Sequence, residues 1–176
     1  AENEARHDPL TGLLNRRGFE AALARWNDPK QTDGTPDKQH VLLLIDLDKF
    51  KPVNDVAGHE AGDVVLRRMA KLFQDETRPQ DVVARLGGDE FAIVLRDMDE
   101  QSALEVAQRV RQTVHDFTFE WRDHHFKLGT SIGLVVFAAY PTADSWSKTM
   151  RQADDACYEA KHQGRNQVCI GRVTSA

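Results

Sequence analysis

The sequence predicts an α+β domain with a mainly antiparallel sheet, and three observations carry that reading. Val41 to Ile45 is a continuous apolar run, the pattern of a strand buried on both faces. Two short apolar segments, Asp81 to Leu86 and Phe91 to Arg96, are joined across Gly87-Gly88-Asp89-Glu90, a hairpin signal. Around these strands, apolar residues recur at helical spacing in His59 to Glu76, Glu100 to Phe117 and Ser145 to His162. Helices interleaved with hairpins pack on an antiparallel sheet.

Taken in order, residues 1–7 open with good helix formers and no start signal, so they are expected to be the end of an upstream linker helix, with the domain running from 8 to 176. Leu10, Leu14, Phe19, Ala22, Leu23 and Trp26 make an imperfect helical pattern, interrupted near Asn15 and Gly18. Asn27 to Gln39, rich in Asp, Pro, Gly and Lys, reads as an exposed loop. The Val41 strand ends in Asp46-Leu47-Asp48. Val65, Met69, Leu72 and Phe73 form the apolar face of the next helix, and Pro79 bars its continuation. Beyond the hairpin, Ala103, Val106, Val110, Val114 and Phe117 mark a helix, and Phe119 to Lys127 with Ser131 to Ala138 are expected as a second pair of strands. The last helix turns Met150, Ala153, Ala156, Cys157 and Ala160 inward, and Gly164 stops it before a strand from Gln167 to Ile170.

Composition narrows the function. The chain has 176 residues, a net charge of −5, 40% hydrophobic and 29% charged residues, which fits one soluble domain able to bury a core. Mild acidity argues against a nucleic-acid polymer as partner, because backbone binding shows as clustered excess Lys and Arg, but leaves a small phosphate ligand open. The longest apolar run falls far short of the roughly 20 residues of a membrane span, and Ala1 to Arg6 is not a signal peptide, so a cytoplasmic location is expected. Cys157 and Cys169 fit no metal or disulfide framework and read as buried thiols.

Four constellations could carry chemistry. In Asp46 to Lys51, Asp46 and Asp48 share a strand face and could both approach a cation; the plain alternative is a solvated strand end. Gly87-Gly88 permits a tight turn and close ligand approach, and Asp89 and Glu90 add charge; a hard Mg²⁺ takes one or two such carboxylates plus substrate phosphates. Across Asn54 to Asp63, Gly58 and Gly62 bracket a helix start. A carboxamide and a carboxylate there can jointly meet the N1–H, N2–H₂ and O6 of guanine, a set adenine lacks. Lys161 and Arg165 flank a helix end, where cations complement the dipole or bind phosphate.

These blocks, in this order, resemble the GGDEF domain of diguanylate cyclases. The likeness runs through Asp8-Pro9-Leu10-Thr11-Gly12-Leu13, Asn15-Arg16-Arg17, Asp46 to Lys51, Asn54 to Asp63, Gly87 to Phe91 and Gly164-Arg165-Asn166, nearly the whole chain. It implies a palm-like sheet of the ferredoxin-like, nucleotidyl-cyclase type flanked by helices, and a reaction condensing two GTP into cyclic di-GMP and two pyrophosphates. By position, it implies that Asp46, the Leu47 carbonyl and Asp89 hold Mg²⁺, with Mn²⁺ as a possible substitute. It assigns Asn54 and Asp63 to guanine, and Lys161, Arg165 and the backbone around Lys49, Phe50 and Lys51 to phosphates. One of the carboxylates Asp89 and Glu90 would aid deprotonation of the 3′-hydroxyl. Because one site holds one GTP, a two-fold homodimer is implied, set by an upstream sensory or regulatory domain.

Arg78-Pro79-Gln80-Asp81 stands where the family places an inhibitory site for its product, and Arg109 resembles the additional arginine of that site. The plain alternative is a surface turn with an Arg–Asp pair of little energetic weight. Two other functions compete with an active cyclase. One is a catalytically silent receptor for GTP or cyclic di-GMP, disfavoured by the complete set Asp46, Asp89, Glu90, Asn54 and Asp63. The other is a cyclase that takes ATP, disfavoured because the Asp63 carboxylate would face the lone pair of adenine N1. The His124-His125 pair reads as part of an exposed hairpin.

Overall fold

The computed structural model describes residues 5–25, 39–138 and 143–172. In chain order the elements are α1 (Arg16–Ala24), β1 (Gln39–Asp48), α2 (Phe50–Ala57), α3 (His59–Asp75), β2 (Val82–Gly87), β3 (Glu90–Leu95), α4 (Glu100–Asp116), β4 (Thr118–Trp121), β5 (His124–Lys127), β6 (Gly129–Ala138), α5 (Ala143–His162) and β7 (Gln167–Ile170). Five strands form one sheet in the order β2-β3-β1-β6-β7. Every pairing is antiparallel except β6 with β7. This is the expected α+β class with a mainly antiparallel sheet flanked by helices.

The central strand explains the layering. Alternation along β1 sends Leu43, Ile45 and Leu47 to one face, where they pack with Val65, Met69 and Phe73 of α3 and Val110 of α4. Leu42 and Leu44 go to the other, with Phe19 of α1 and Ala153 and Cys157 of α5. Covered on both faces, β1 is continuously apolar from Val41 to Ile45, and Asp46 and Asp48 bring polar groups in where it reaches the sheet end. Phe73 meets Phe91 edge-on with ring centroids 5.0 Å apart, both fully buried. Burial of each such ring stabilises the fold by about 1.5–3 kcal/mol. On the opposite face Gly133 lets α5 sit directly on β6, since a Cβ there would overlap the Ala153 carbonyl oxygen.

Several boundaries differ from expectation. Leu10 to Leu14 is not helical: Asp8 Oδ2 accepts hydrogen bonds from Thr11 N (2.9 Å) and Thr11 Oγ1 (2.7 Å), Gly12 adopts φ 77°, and Leu14 bridges to His7 and Ala84. The interruption near Asn15 and Gly18 is a helix start, because Asn15 caps α1 by accepting from Gly18 N at 2.8 Å. Trp26 and residues 27–38 of the expected loop lie outside the described residues, and Gln39 belongs to β1. Of the expected linker helix, Ala5 and Arg6 are helical and residues 1–4 lie outside the description. Phe119 to Lys127 is not one strand: Arg122, at φ 55°, turns it into the β4–β5 hairpin, a separate two-stranded sheet, while β6 pairs with β1. His124 and His125 are exposed on that hairpin, and Cys169, unlike Cys157, is only half-buried. Among the described residues no helix is long and apolar enough to cross a membrane.

Candidate active site

The site is built where β1 leaves the core. Asp46 and Asp48 point to the α1/α5 face, both largely buried, but their carboxylates diverge in use. Asp46 Oδ2 is in contact with Lys161 Nζ from the end of α5. Asp48 is committed elsewhere: Oδ1 accepts from Ser131 Oγ (2.7 Å) and Oδ2 from Asn166 N (2.9 Å). Both residues line one cleft, as alternation expects, but Asp48 uses both carboxylate oxygens to hold β6 and the turn after α5 against β1.

The signature turn closes beside them. Gly87 and Gly88 take φ 150° and 50°, which a side chain would strain, and Leu47 N donates to the Asp89 carbonyl oxygen at 3.1 Å. Arg85 braces this turn from below, donating from Nε to the Gly88 carbonyl oxygen (2.9 Å) and from Nη1 to Asp8 Oδ1 (2.9 Å). Burial pushes the Asp89 carboxyl above the ordinary carboxylate range, against the pull of its own backbone and Arg85. Glu90 stands opposite Asp46 in the β1–β3 register, and burial, then the charge of Asp154 on α5, pushes its carboxyl up as well. Arg16, at the start of α1, opposes this from 3.6 Å. Sequence reasoning missed the neighbours Arg16 and Asp154, because nothing local to either residue signals that two helices converge on Glu90.

Directly after β1, Lys49 adopts φ 65° and turns the chain into α2, a helix without a side-chain cap at its first turn. Its early amide groups, from Phe50 and Lys51, are left for solvent or an anion. Across the opening, Lys161 and Arg165 follow α5; burial and then the Arg165 charge push the Lys161 ammonium below its usual range. Together Asp46, Leu47, Asp48, Lys49, Phe50, Lys51, Pro52, Asp89, Lys161 and Arg165 line a cleft of about 420 Å³. Since the Leu47 side chain is in the core, it presents backbone to this cleft. Glu90, Asn54 and Asp63 are not among the lining residues. Asn54 lies in α2, before the Gly58 turn, and packs over Gly62, where a Cβ would overlap its Oδ1; Asp63 follows one turn into α3, half-buried.

Would the donors fit a metal? With Asp48 accepting from Ser131 and Asn166, the cleft offers the carboxylates of Asp46 and Asp89 and a backbone carbonyl, all hard oxygen donors, and among the described residues no group of three or more His, Cys, Asp or Glu could hold an ion unaided. That set suits Mg²⁺, which binds through one or two carboxylates and completes its octahedron with water and phosphate oxygens.

The second candidate site is more constrained than an exposed turn. Asp81 has a side chain 1% exposed and accepts four hydrogen bonds: from Arg78 N (2.8 Å), Arg78 Nε (3.1 Å), Arg78 Nη2 (2.8 Å) and Arg96 N (3.0 Å). Arg78, 38% exposed, also donates from Nη2 to the Arg96 carbonyl oxygen. Arg109, on α4, is paired through Nε to Glu76 Oε2 at 2.6 Å. A second, larger cavity of about 710 Å³ adjoins Arg78 and Asp81, with Arg25 and Arg96 on its wall; Arg109 does not line it.

Comparison with known proteins identifies the family. Residues 5–167 match the family model described as "Diguanylate cyclase, GGDEF domain". The chain is 42% identical over 166 residues to the probable diguanylate cyclase DgcE of Escherichia coli, covering 94% of this chain and 15% of that protein. It is 38% identical over 175 residues to the diguanylate cyclase DosC of the same organism, covering 99% and 37%. The coiled coil and GGDEF domain of DgcB from Caulobacter crescentus, solved in complex with c-di-GMP, superposes with a TM-score of 0.84 at 28% identity over 97% of this chain and 87% of that one. The chain thus spans well under half the length of these two curated relatives, and with the model matched along nearly all of it, it belongs to the diguanylate cyclase GGDEF domain family.

Proposed function

We propose that this domain is the catalytic unit of a diguanylate cyclase, condensing two GTP into cyclic di-GMP with release of two pyrophosphates. The observation that carries the reading is one cleft in which Asp46, the Leu47 backbone and Asp89 face Lys161, Arg165 and the open end of α2. Oxygen donors on one wall and cations with free amides on the other suit a triphosphate. Asp46, the Leu47 carbonyl and Asp89 would hold Mg²⁺ or Mn²⁺, which when bound supplies charge neutralisation at the α-phosphate and lowers the pKa of a nearby hydroxyl.

The chain's own groups do the rest. Lys161 and Arg165, with the backbone amides near Lys49, Phe50 and Lys51, hold the phosphates and stabilise charge gathering on the departing pyrophosphate. Asn54 and Asp63 read the guanine edge, the carboxylate accepting from N1–H and N2–H₂. One of Asp89 and Glu90 accepts the proton of the 3′-hydroxyl as that oxygen attacks the α-phosphorus of the other nucleotide; burial makes both better proton acceptors than ordinary carboxylates. Two such attacks close the ring, so two copies must face each other, and a two-fold dimer set by an upstream domain meets that need. Arg78 and Arg109 contact the product at an inhibitory site, and Asp81 fixes Arg78 for it.

The test is chromatography of products from GTP and Mg²⁺, using the domain fused to a dimerising coiled coil. Asp46→Asn and Asp89→Asn are expected to lower turnover at least about a hundredfold. Retained turnover in both would remove the proposal. GTP binding without turnover in the parent would make the domain a silent receptor.

A further inference from the structure

We propose that Asn166 is the positioning residue for Arg165, fixing where its guanidinium enters the cleft by latching the turn after α5 to α4. The inference rests on the reading in which Arg165 meets phosphate. Gly164, Arg165 and Asn166 all have positive φ, at 118°, 64° and 48°, a run that L side chains adopt rarely. Such a turn keeps its shape only if its surroundings tie it down.

Four elements do so. Arg165 N donates to the Ala160 carbonyl oxygen at 3.0 Å, tying the turn to α5. Asn166 N donates to Asp48 Oδ2 at 2.9 Å, tying it to β1, and Ser131 Oγ holds the same carboxylate from β6. The third tie is the Asn166 side chain: Oδ1 accepts from Arg111 Nη1 at 3.2 Å and Nδ2 lies 3.3 Å from His115 Nδ1, both on α4. Arg165 is among the residues lining the cleft, and its side chain makes no hydrogen bond or ion pair of its own among the described residues. The region its guanidinium can reach is therefore governed by its backbone, which Asn166 holds on one side and, as a fourth tie, Gln167 of β7 holds by donating from Nε2 to the Arg165 carbonyl oxygen at 3.1 Å. A carboxamide suits this place for two reasons: it tolerates a left-handed backbone, and it can accept from Arg111 while donating to His115.

The experiment is calorimetric titration of the protein with a non-hydrolysable GTP analogue and Mg²⁺, for Asn166→Gly and Arg111→Ala. Each is made in the parent, in Lys161→Ala and in Arg165→Ala. Glycine keeps the left-handed backbone and removes only the latch; Arg111→Ala breaks the same latch from α4, so the test survives if one variant fails to fold. Each change is expected to weaken binding about three- to tenfold in the parent and in Lys161→Ala, the effect of one lost hydrogen bond, and to have no effect once Arg165 is gone. An equal loss with and without Arg165 would overturn the inference, because the latch would then act on something else. If Arg165→Ala itself leaves affinity unchanged, the phosphate role of Arg165 fails first, and the latch has nothing to position.

Discussion

Replacing Asp81 by alanine should destabilise the domain far more than replacing its partner Arg78. The carboxylate is almost wholly buried and accepts four hydrogen bonds, two from the Arg78 guanidinium and one each from the amides of Arg78 and Arg96. Removing one member of a buried, charged pair costs about 3–5 kcal/mol. Arg78 is 38% exposed, so water recovers part of its guanidinium and screens the pair; the expected loss falls to about 2–3 kcal/mol. Arg78→Ala leaves the carboxylate with both amide donors and should cost only about 1 kcal/mol. In urea unfolding followed by far-UV circular dichroism, with a slope of about 2 kcal/mol/M, Asp81→Ala should lower the midpoint by about 1–1.5 M. A shift below about 0.3 M, or a larger loss from Arg78→Ala, would refute the reasoning. For the proposed inhibitory site the consequence is practical: any loss of product inhibition in an Asp81 variant would report the turn's collapse, whereas Arg78→Ala would test the proposed ligand contact.

Three further outcomes follow from the geometry. Gly133→Ala forces a Cβ into the Ala153 carbonyl oxygen, so α5 must lift from β6; a loss of about 3 kcal/mol or more is expected by urea unfolding, and a neutral effect would mean the helix is not seated so closely. Gly62→Ala displaces the Asn54 carboxamide while improving helix propensity in α3, so guanine affinity should fall about tenfold in a GTP-analogue titration while the unfolding midpoint holds. Burial pushes the Cys157 thiol up from 9.0 to about 12. The unfolded thiol then ionises first as pH rises, and stability is lost between pH 9.0 and about 12. Cys157→Ser, which keeps a donor for the Ser131 carbonyl oxygen, should flatten that part of the stability profile relative to the parent.

Strong periodicity made α3, α4 and α5 legible, each to within about two residues, and the Gly164 stop marked where β7 could begin. What escaped depended on local hydrogen bonds or distant neighbours. Leu10 to Leu14 carries a helical spacing of apolar residues, yet the Asp8 carboxylate bonds Thr11 and Gly12 turns, so the side chain competes successfully with the helix. Helix α2 is eight residues with Pro52 in its first turn, too short for periodicity to announce. The site residues with motifs of their own were legible one by one. Their grouping was not: Asp46 and Asp48 look equivalent by alternation and both line the cleft, and only the approach of Ser131 and Asn166 shows that the oxygens of Asp48 are occupied in holding the fold. Asn166 itself was legible as part of Gly164-Arg165-Asn166, but its latch to Arg111 and His115 spans more than fifty residues of chain.

The central claim is that this cleft joins two guanine nucleotides, and mass spectrometry of products tests it most directly. The coiled-coil dimer of the domain is incubated with equal GTP and ATP and Mg²⁺. Cyclic di-GMP as the only cyclic dinucleotide is the predicted result, with the guanine preference assigned to Asn54 and Asp63. A mixed or adenine product would contradict that assignment, and no cyclic dinucleotide, with GTP still bound, would contradict the catalytic reading of the cleft.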